Sequence, residues 1–347
     1  MKTNICNEVA TKLSRTSGVY VVYHWDADGA ASAALVLRHL GARIEGLDVP
    51  RIGIYSADAV PLPRSSAALL VLDYGLPGAE YEKLAQRHGG EVLVIDHHRV
   101  APPHKKGIAY CNPVAAGLGG EEDYPANSVL VYWLLGLRDD PGERVLAALG
   151  VAGDLAPYID AGKPHPGLRT ASELLVGTGV SLRELRGVAE SIDSCYRLLD
   201  EDCLRYAAWR AAEDPLGLMY DERLVKARRR AERLLDEALG KAKLLEETEK
   251  VLVYFLEMDA YVTSAVGRKL AARNPDKVVV LVHSMPNHGR GTIYARSITH
   301  RLSGIADRLR ARGVRVAGKT NVLVIEYNGV KYEELLRILL EAINITP

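Results

Sequence analysis

Three short stretches of this 347-residue chain crowd together side chains able to do metal or phosphate chemistry. "HWDADG" holds His24, Asp26 and Asp28; "VLDYG" holds Asp73; "VIDHH" holds Asp96, His97 and His98. A fourth, "GVAGD", ends in Asp154. Carboxylates and imidazoles packed this closely repel one another and lose hydration, so something must compensate them. An oxygen-rich set with a few imidazoles suits Mn²⁺, or Mg²⁺, better than it suits thiophilic metals. Two divalent ions about 3.5–4 Å apart would neutralise the carboxylates, activate a water and clamp a phosphoryl group. Taken singly, each feature is weak. A D-x-D-G commonly marks a turn with an Asx cap, and one Asp commonly caps a loop.

The elements that must position these residues give the pattern its weight. Three runs, "VYVVYH", "ALLVLDYG" and "EVLVIDHH", are short, continuous and rich in Val, Leu and Ile. Such runs are expected for strands buried on both faces of a parallel sheet. Helix-like segments closed by Gly separate them, as in "ASAALVLRHLG" and "GAEYEKLAQRHGG". The alternation predicts an α/β doubly wound domain, with ligands beyond the carboxyl ends of its strands. Each run ends in a metal-capable residue, and Asp154 follows a further apolar run. We therefore expect a catalytic domain over 1–165, a helical connector over 166–249 and a smaller α/β domain over 250–347. In the connector, Leu224, Ala231, Leu235, Ala238, Ala242 and Leu245 form one apolar stripe at helical spacing.

Three other motifs fail on their context. An EF-hand needs Glu at loop position twelve, where this chain has Leu37. A haloacid-dehalogenase-type phosphatase needs a later acidic pair four residues apart, whereas Asp154 and Asp160 are six apart. "GVRVAGKT" (Gly313 to Thr320) satisfies G-x-x-x-x-G-K-[ST]. It is preceded by a helix-like segment and followed by a strand-like one, the inverse of a P-loop.

In this order the four stretches resemble the motifs of the DHH phosphoesterase family, whose name matches Asp96-His97-His98. The first is most similar to RecJ-type single-strand exonucleases, especially their shorter archaeal relatives. The resemblance implies one metal held by His24, Asp26 and Asp73 and a second held by Asp28, Asp73, His97 and Asp154. Asp73 would bridge, His98 would face the scissile phosphate, and Asp96 would orient the histidines. The C-terminal region resembles the accompanying DHHA1 domain, with "GTIYARSI" as its Arg-Ser strand. Where that domain usually carries a glycine-rich loop ending in His, this chain reads "GVRVAGKTN". His283, His288 or Lys319 are candidates to substitute for it.

Net charge is zero, with 44 Lys+Arg against 44 Asp+Glu, which excludes a wholly basic coat protein but not a local basic face. From His288 to Lys319, eight Lys/Arg face only Asp307. That excess predicts a phosphate-tracking surface, with Tyr294 and Arg296 on one strand face as base platform and phosphate clamp and Lys319 nearby. The implied activity is an exonuclease on single-stranded DNA or RNA. The alternatives are a small-phosphate hydrolase, of oligoribonuclease or phosphoadenosine-phosphate phosphatase type, and a replication-associated scaffold. A replication or repair protein is the partner class in keeping with the resemblance. Cys6, Cys111, Cys195 and Cys203 form no C-x-x-C pair, so we expect reduced thiols and a cytoplasmic setting. No apolar run approaches about 18 residues, so no membrane span is expected.

Overall fold

A computed structural model describes residues 4–65, 67–105, 107–137, 140–328 and 332–344. The chain forms two units that divide between Arg229 and Arg230. The first opens with α1 (Asn7–Arg15), β1 (Val19–Tyr23), α2 (Ala27–Leu40), β2 (Ile44–Asp48), β3 (Ala68–Leu72), α3 (Gly78–His88), β4 (Val92–Ile95) and β5 (Ile108–Cys111). Helices follow: α4 (Asn127–Leu134), α5 (Pro141–Asp154), α6 (Ala156–Asp160), α7 (Pro166–Leu175), α8 (Leu182–Arg197), α9 (Glu201–Glu213) and α10 (Glu222–Lys241), within which the division falls.

The five strands form a wholly parallel sheet in the order β2-β1-β3-β4-β5. β1, β3 and β4 are adjacent and buried almost throughout, which explains their unbroken apolar text. The chain leaves β1 toward β2 on one side and returns to β3 on the other. That reversal opens a crevice at the carboxyl ends. Tyr23 pairs with Leu72, and Leu72 with Ile95, so His24, Asp73 and Asp96 come next in one row. The ladder extends one step to hold them: His24 N donates to Leu72 O, Asp73 N to Ile95 O and Asp96 N to Cys111 O, each at 3.0 Å.

Small residues bring the helices close. α2 begins "ADGAASAA", is buried along most of its length and packs against α4, α5 and α9. Asp26 is its N-cap, its Oδ1 accepting from Gly29 N at 3.0 Å. A Cβ on Gly29 would stand 2.0 Å from the His24 carbonyl oxygen, so only glycine permits this tight strand-to-helix turn.

The expected connector over 166–249 does not stand apart. α7 and α8 pack on α5, and α9 packs on α2, within the first unit. The apolar stripe buries Leu224, Ala231 and Ala238, but Leu245 lies in a strand and is exposed. The cysteines also differ from expectation, since Cys6 is bonded to Cys111 and Cys195 to Cys203. The first pair spans 105 residues, a separation that spacing rules cannot reveal. The reduced-thiol reading is therefore corrected. Among the described residues no helix is long and apolar enough to cross a membrane.

The second unit contains β6 (Lys243–Glu247), β7 (Val251–Glu257), α11 (Thr263–Arg273), β8 (Val278–Met285), β9 (Arg290–Arg296), α12 (Ser303–Ala311), β10 (Ala317–Lys319), β11 (Val322–Asn328) and α13 (Tyr332–Asn344). Its sheet runs β10-β11-β9-β8-β7-β6, parallel only between β7 and β8. Both faces are covered. Val280, Val282, Ile293 and Ala295 pack with residues of α12 and α13, while Val279, Leu281 and Tyr294 pack with residues of α11 and α10. The P-loop-like stretch runs from the turn after α12 into β10 and opens no helix.

Candidate metal centre

Five elements deliver the acidic and imidazole side chains to the carboxyl edge of the first sheet. His24 and Asp26 follow β1, Asp28 lies in the first turn of α2, Asp73 follows β3, Asp96 to His98 follow β4, and Asp154 ends α5. Ligand-capable atoms converge in three groups: His24, Asp26 and Asp73; Asp28, His97 and Asp154; Asp73, His97 and His98. In each group these atoms lie within 4.8 Å of one another. Asp73 and His97 each belong to two groups.

Several of these side chains are held by hydrogen bonds from the surrounding structure. Asp28, fully buried, accepts from the backbone N–H groups of Asn127 (2.6 Å) and Ser128 (2.8 Å) at the start of α4. Gly150 on α5 makes room for it, since a Cβ there would lie 2.0 Å from Asp28 Oδ1. Asp73 has φ of 60°, a left-handed conformation that costs on the order of 1–3 kcal/mol for a residue other than glycine. Such strain is tolerated where the surroundings fix the residue, here the ladder bond to Ile95.

His97 Nδ1 lies 3.0 Å from the Tyr124 carbonyl oxygen, so that nitrogen carries the proton and donates. Nε2 is then a lone pair, 3.4 Å from Asp73 Oδ1, 3.4 Å from Asp154 Oδ2 and 3.7 Å from Asp28 Oδ2. An imidazole oriented by a backbone carbonyl is the usual support of a metal-binding histidine. Asp96 is saturated instead. Its carboxylate accepts from His97 N (2.7 Å), His98 N (3.1 Å), His98 Nδ1 (2.8 Å) and Gly75 N (2.9 Å). With Nδ1 committed to Asp96 and its side chain 44% exposed, His98 keeps Nε2 for whatever enters the crevice.

The charges explain what this arrangement needs. Burial pushes the Asp73 and Asp154 carboxyls well above the ordinary range, and the neighbouring Asp28 pushes both further. Burial also raises Asp28, against the pull of His97. Burial acts upward on Asp26 as well, but the His24 imidazole and the Gly29 amide outweigh it and hold it down to about 2. Asp73 Oδ1 and His97 Nε2 are buried without a hydrogen-bond partner. Unpartnered acceptor atoms amid carboxylates that cannot all ionise unaided are the donor set that oxygen-seeking divalent cations complete.

The remaining expected residues lie in the second unit. Tyr294 is only 3% exposed, beneath α11 and against Gly267, so its ring offers no stacking platform. This corrects the base-platform reading, since both faces of that sheet are covered. Arg296 shares its strand face and donates from Nη1 to the Tyr294 hydroxyl at 3.2 Å. His283 is fully buried, with Nδ1 2.6 Å from Thr263 Oγ1 and Nε2 2.9 Å from Met258 O, and cannot reach a substrate. The backbone of Lys319 ends β10; its side chain is outside the described residues. Part of the basic excess is internally engaged, Arg310 with Asp307 and Arg312 with Glu341.

Other contributors escape sequence reasoning. The Asn127 and Ser128 amides and the Tyr124 carbonyl are backbone groups with no side-chain signature. Asp193 on α8 accepts from Ala27 N at 3.0 Å, 166 residues away. Tyr55 stands 3.0 Å from His24 Nε2.

The parallel doubly wound sheet thus brings buried carboxylates and imidazoles together beyond its carboxyl ends, as groups able to hold a metal ion. Residues 18–153 match the DHH family, N-terminal domain. The chain's fold is similar to that of exonuclease RecJ bound to manganese (TM-score 0.65, 20% identity, covering 100% of this chain and 96% of that one). It is also similar to RecJ in complex with Mn²⁺ from Thermus thermophilus (TM-score 0.63, 21% identity, 99% and 55% covered). A third similar structure is the DHH domain of a protein assigned to a family of ribosomal proteins (TM-score 0.63, 14% identity, 97% and 88% covered). No curated protein sequence matches the chain.

Proposed function

We propose that the chain is a two-metal phosphodiesterase that removes nucleotides from an end of single-stranded DNA or RNA. Mn²⁺ is its resident ion, and Mg²⁺ is able to replace it. The observation that carries this reading is the pair of ligand groups, His24–Asp26–Asp73 and Asp28–His97–Asp154, with the unpartnered atoms of Asp73 and His97 between carboxylates. The similar fold of RecJ, an exonuclease bound to manganese, supports both the reaction class and the metal.

When bound, the ions would polarise a water and neutralise the phosphoryl oxygens. The chain's own groups do the rest. Asp73 joins the two ligand groups. The Tyr124 carbonyl keeps His97 in one tautomer. Asp96 holds the His98 ring, so Nε2 is placed to hydrogen-bond a phosphoryl oxygen. The second unit, read as DHHA1-like, would grip the strand through Arg296 and its neighbouring basic residues.

One observation favours a second reading. With Tyr294 buried and His283 internally bonded, two of the side chains considered for substrate contact in the second unit are not available for it. A small-phosphate hydrolase needs no strand-tracking surface. The test is kcat/KM on a single-stranded twenty-mer relative to a dinucleotide. A ratio well above one supports the exonuclease, and a ratio near or below one supports the small-phosphate hydrolase.

A further inference from the structure

The first motif histidine is held from outside the motifs. His24 Nδ1 lies 2.7 Å from Asp26 Oδ2 but off the line a hydrogen bond requires, so the two atoms stand side by side as neighbouring donors would. For Nδ1 to present a lone pair there, Nε2 must carry the ring proton. Nε2 is 3.0 Å from the hydroxyl oxygen of Tyr55, which can accept that proton's hydrogen bond.

Tyr55 is itself held firmly. Its ring stacks on Tyr74 at 5.6 Å and 17°, and Trp25 meets it edge-on at 5.2 Å. The Tyr74 hydroxyl donates to the Ile54 carbonyl, fastening the backbone just before Tyr55. Tyr74 directly follows Asp73, and Trp25 directly follows His24. The clamp is thus built on the two turns that carry metal-capable residues, although Tyr55 comes from the loop after β2. Tyr55 is 37% exposed, and a packing role alone does not require its hydroxyl to meet a buried imidazole.

We infer that Tyr55 is a positioning residue for the metal centre: its hydroxyl fixes the tautomer and plane of His24, and so sets the affinity of the ion bound by His24, Asp26 and Asp73. The inference rests on reading the cluster as a two-ion centre. Partners of this kind are worth about 10–100-fold in metal affinity.

The test is calorimetric titration of the chelator-treated full chain with MnCl₂, for wild type, Tyr55→Phe, His24→Ala and the double variant. Phe keeps the stacking and removes only the hydroxyl, and the melting temperature of each metal-free variant reports folding. The expected result is two binding phases in wild type. One of them should weaken about tenfold or more in Tyr55→Phe, disappear in His24→Ala and be no further altered in the double variant. If Tyr55→Phe titrates like wild type while His24→Ala loses an ion, the inference is wrong and the metal centre stands. If His24→Ala keeps both ions, both readings fall. A Tyr55→Phe effect that persists in the His24→Ala background would show that Tyr55 does not act through His24, and would also overturn the inference.

Discussion

At the scale of single residues, adjacent His97 and His98 have different surroundings and so different expected roles. His97 is buried, with Nε2 among three carboxylates, whereas His98 is half-exposed and tied to Asp96. We predict that His97→Ala lowers Mn²⁺ occupancy, while His98→Ala binds Mn²⁺ normally and turns over more slowly. Calorimetry beside steady-state kinetics separates the two, and loss of metal in His98→Ala with retention in His97→Ala would reverse the roles. The side chains of this cluster were legible in the sequence because each follows an apolar run and they occur in a fixed order. What holds them was not. Asp28 is fixed by two backbone amides, His97 by a backbone carbonyl and the first turn by Asp193, and none of these is distinguished by residue type or spacing. Tyr294 was misread for a related reason: alternation along β9 shows which residues share a face, not that helices cover both faces.

At the scale of elements, the buried central strands β1, β3 and β4 were legible, whereas the edge strands β2 and β6 were not. β2 reads "IEGLD", and β6, "KLLEE", is exposed at every position, so neither carries the apolar run that marks a strand. The approach of α5 to α2 depends on Gly150. Gly150→Ala places a methyl group against the buried Asp28 carboxylate and should cost roughly 1–3 kcal/mol, read as a lower denaturation midpoint together with weaker Mn²⁺ binding. An unchanged midpoint and unchanged binding would mean that α5 shifts freely. α8 carries a second, pH-dependent feature. Burial acts upward on the Glu190 carboxyl, but hydrogen bonds from Arg197 and Arg186 bring it down to about 2, with its side chain 20% exposed. Because its folded-state value is depressed, the stabilisation is fully present above about pH 4.5 and is lost as pH falls toward 2. Wild type should therefore exceed Glu190→Gln by on the order of 2 kcal/mol at neutral pH, discounted for partial exposure. The gap should close across that acid window in denaturant titrations. A gap independent of pH would place the effect in packing.

At the scale of the whole molecule, the question is whether the second unit takes part in catalysis on long substrates. If its basic residues track a strand, Arg296→Ala should lower kcat/KM on a single-stranded twenty-mer and leave a dinucleotide nearly unaffected. It should also flatten the salt dependence of binding by about 0.7 log units per log unit of salt for each lost phosphate contact. An equal defect on both lengths would place Arg296 at the phosphate nearest the metal centre. The central claim, that shared carboxylates and imidazoles of the first unit make a two-ion phosphodiesterase, is tested most directly by end-labelled single strands digested with and without Mn²⁺. Wild type, Asp73→Ala and Asp58→Ala should be compared. Asp58 is 84% exposed and lies outside the cluster. The account predicts Mn²⁺-dependent release of nucleotides by wild type and by Asp58→Ala, and a loss of at least roughly a thousandfold in Asp73→Ala, because both ion sites fail together. Equal activity of Asp73→Ala and Asp58→Ala, or digestion by wild type that persists after complete metal removal, would contradict it.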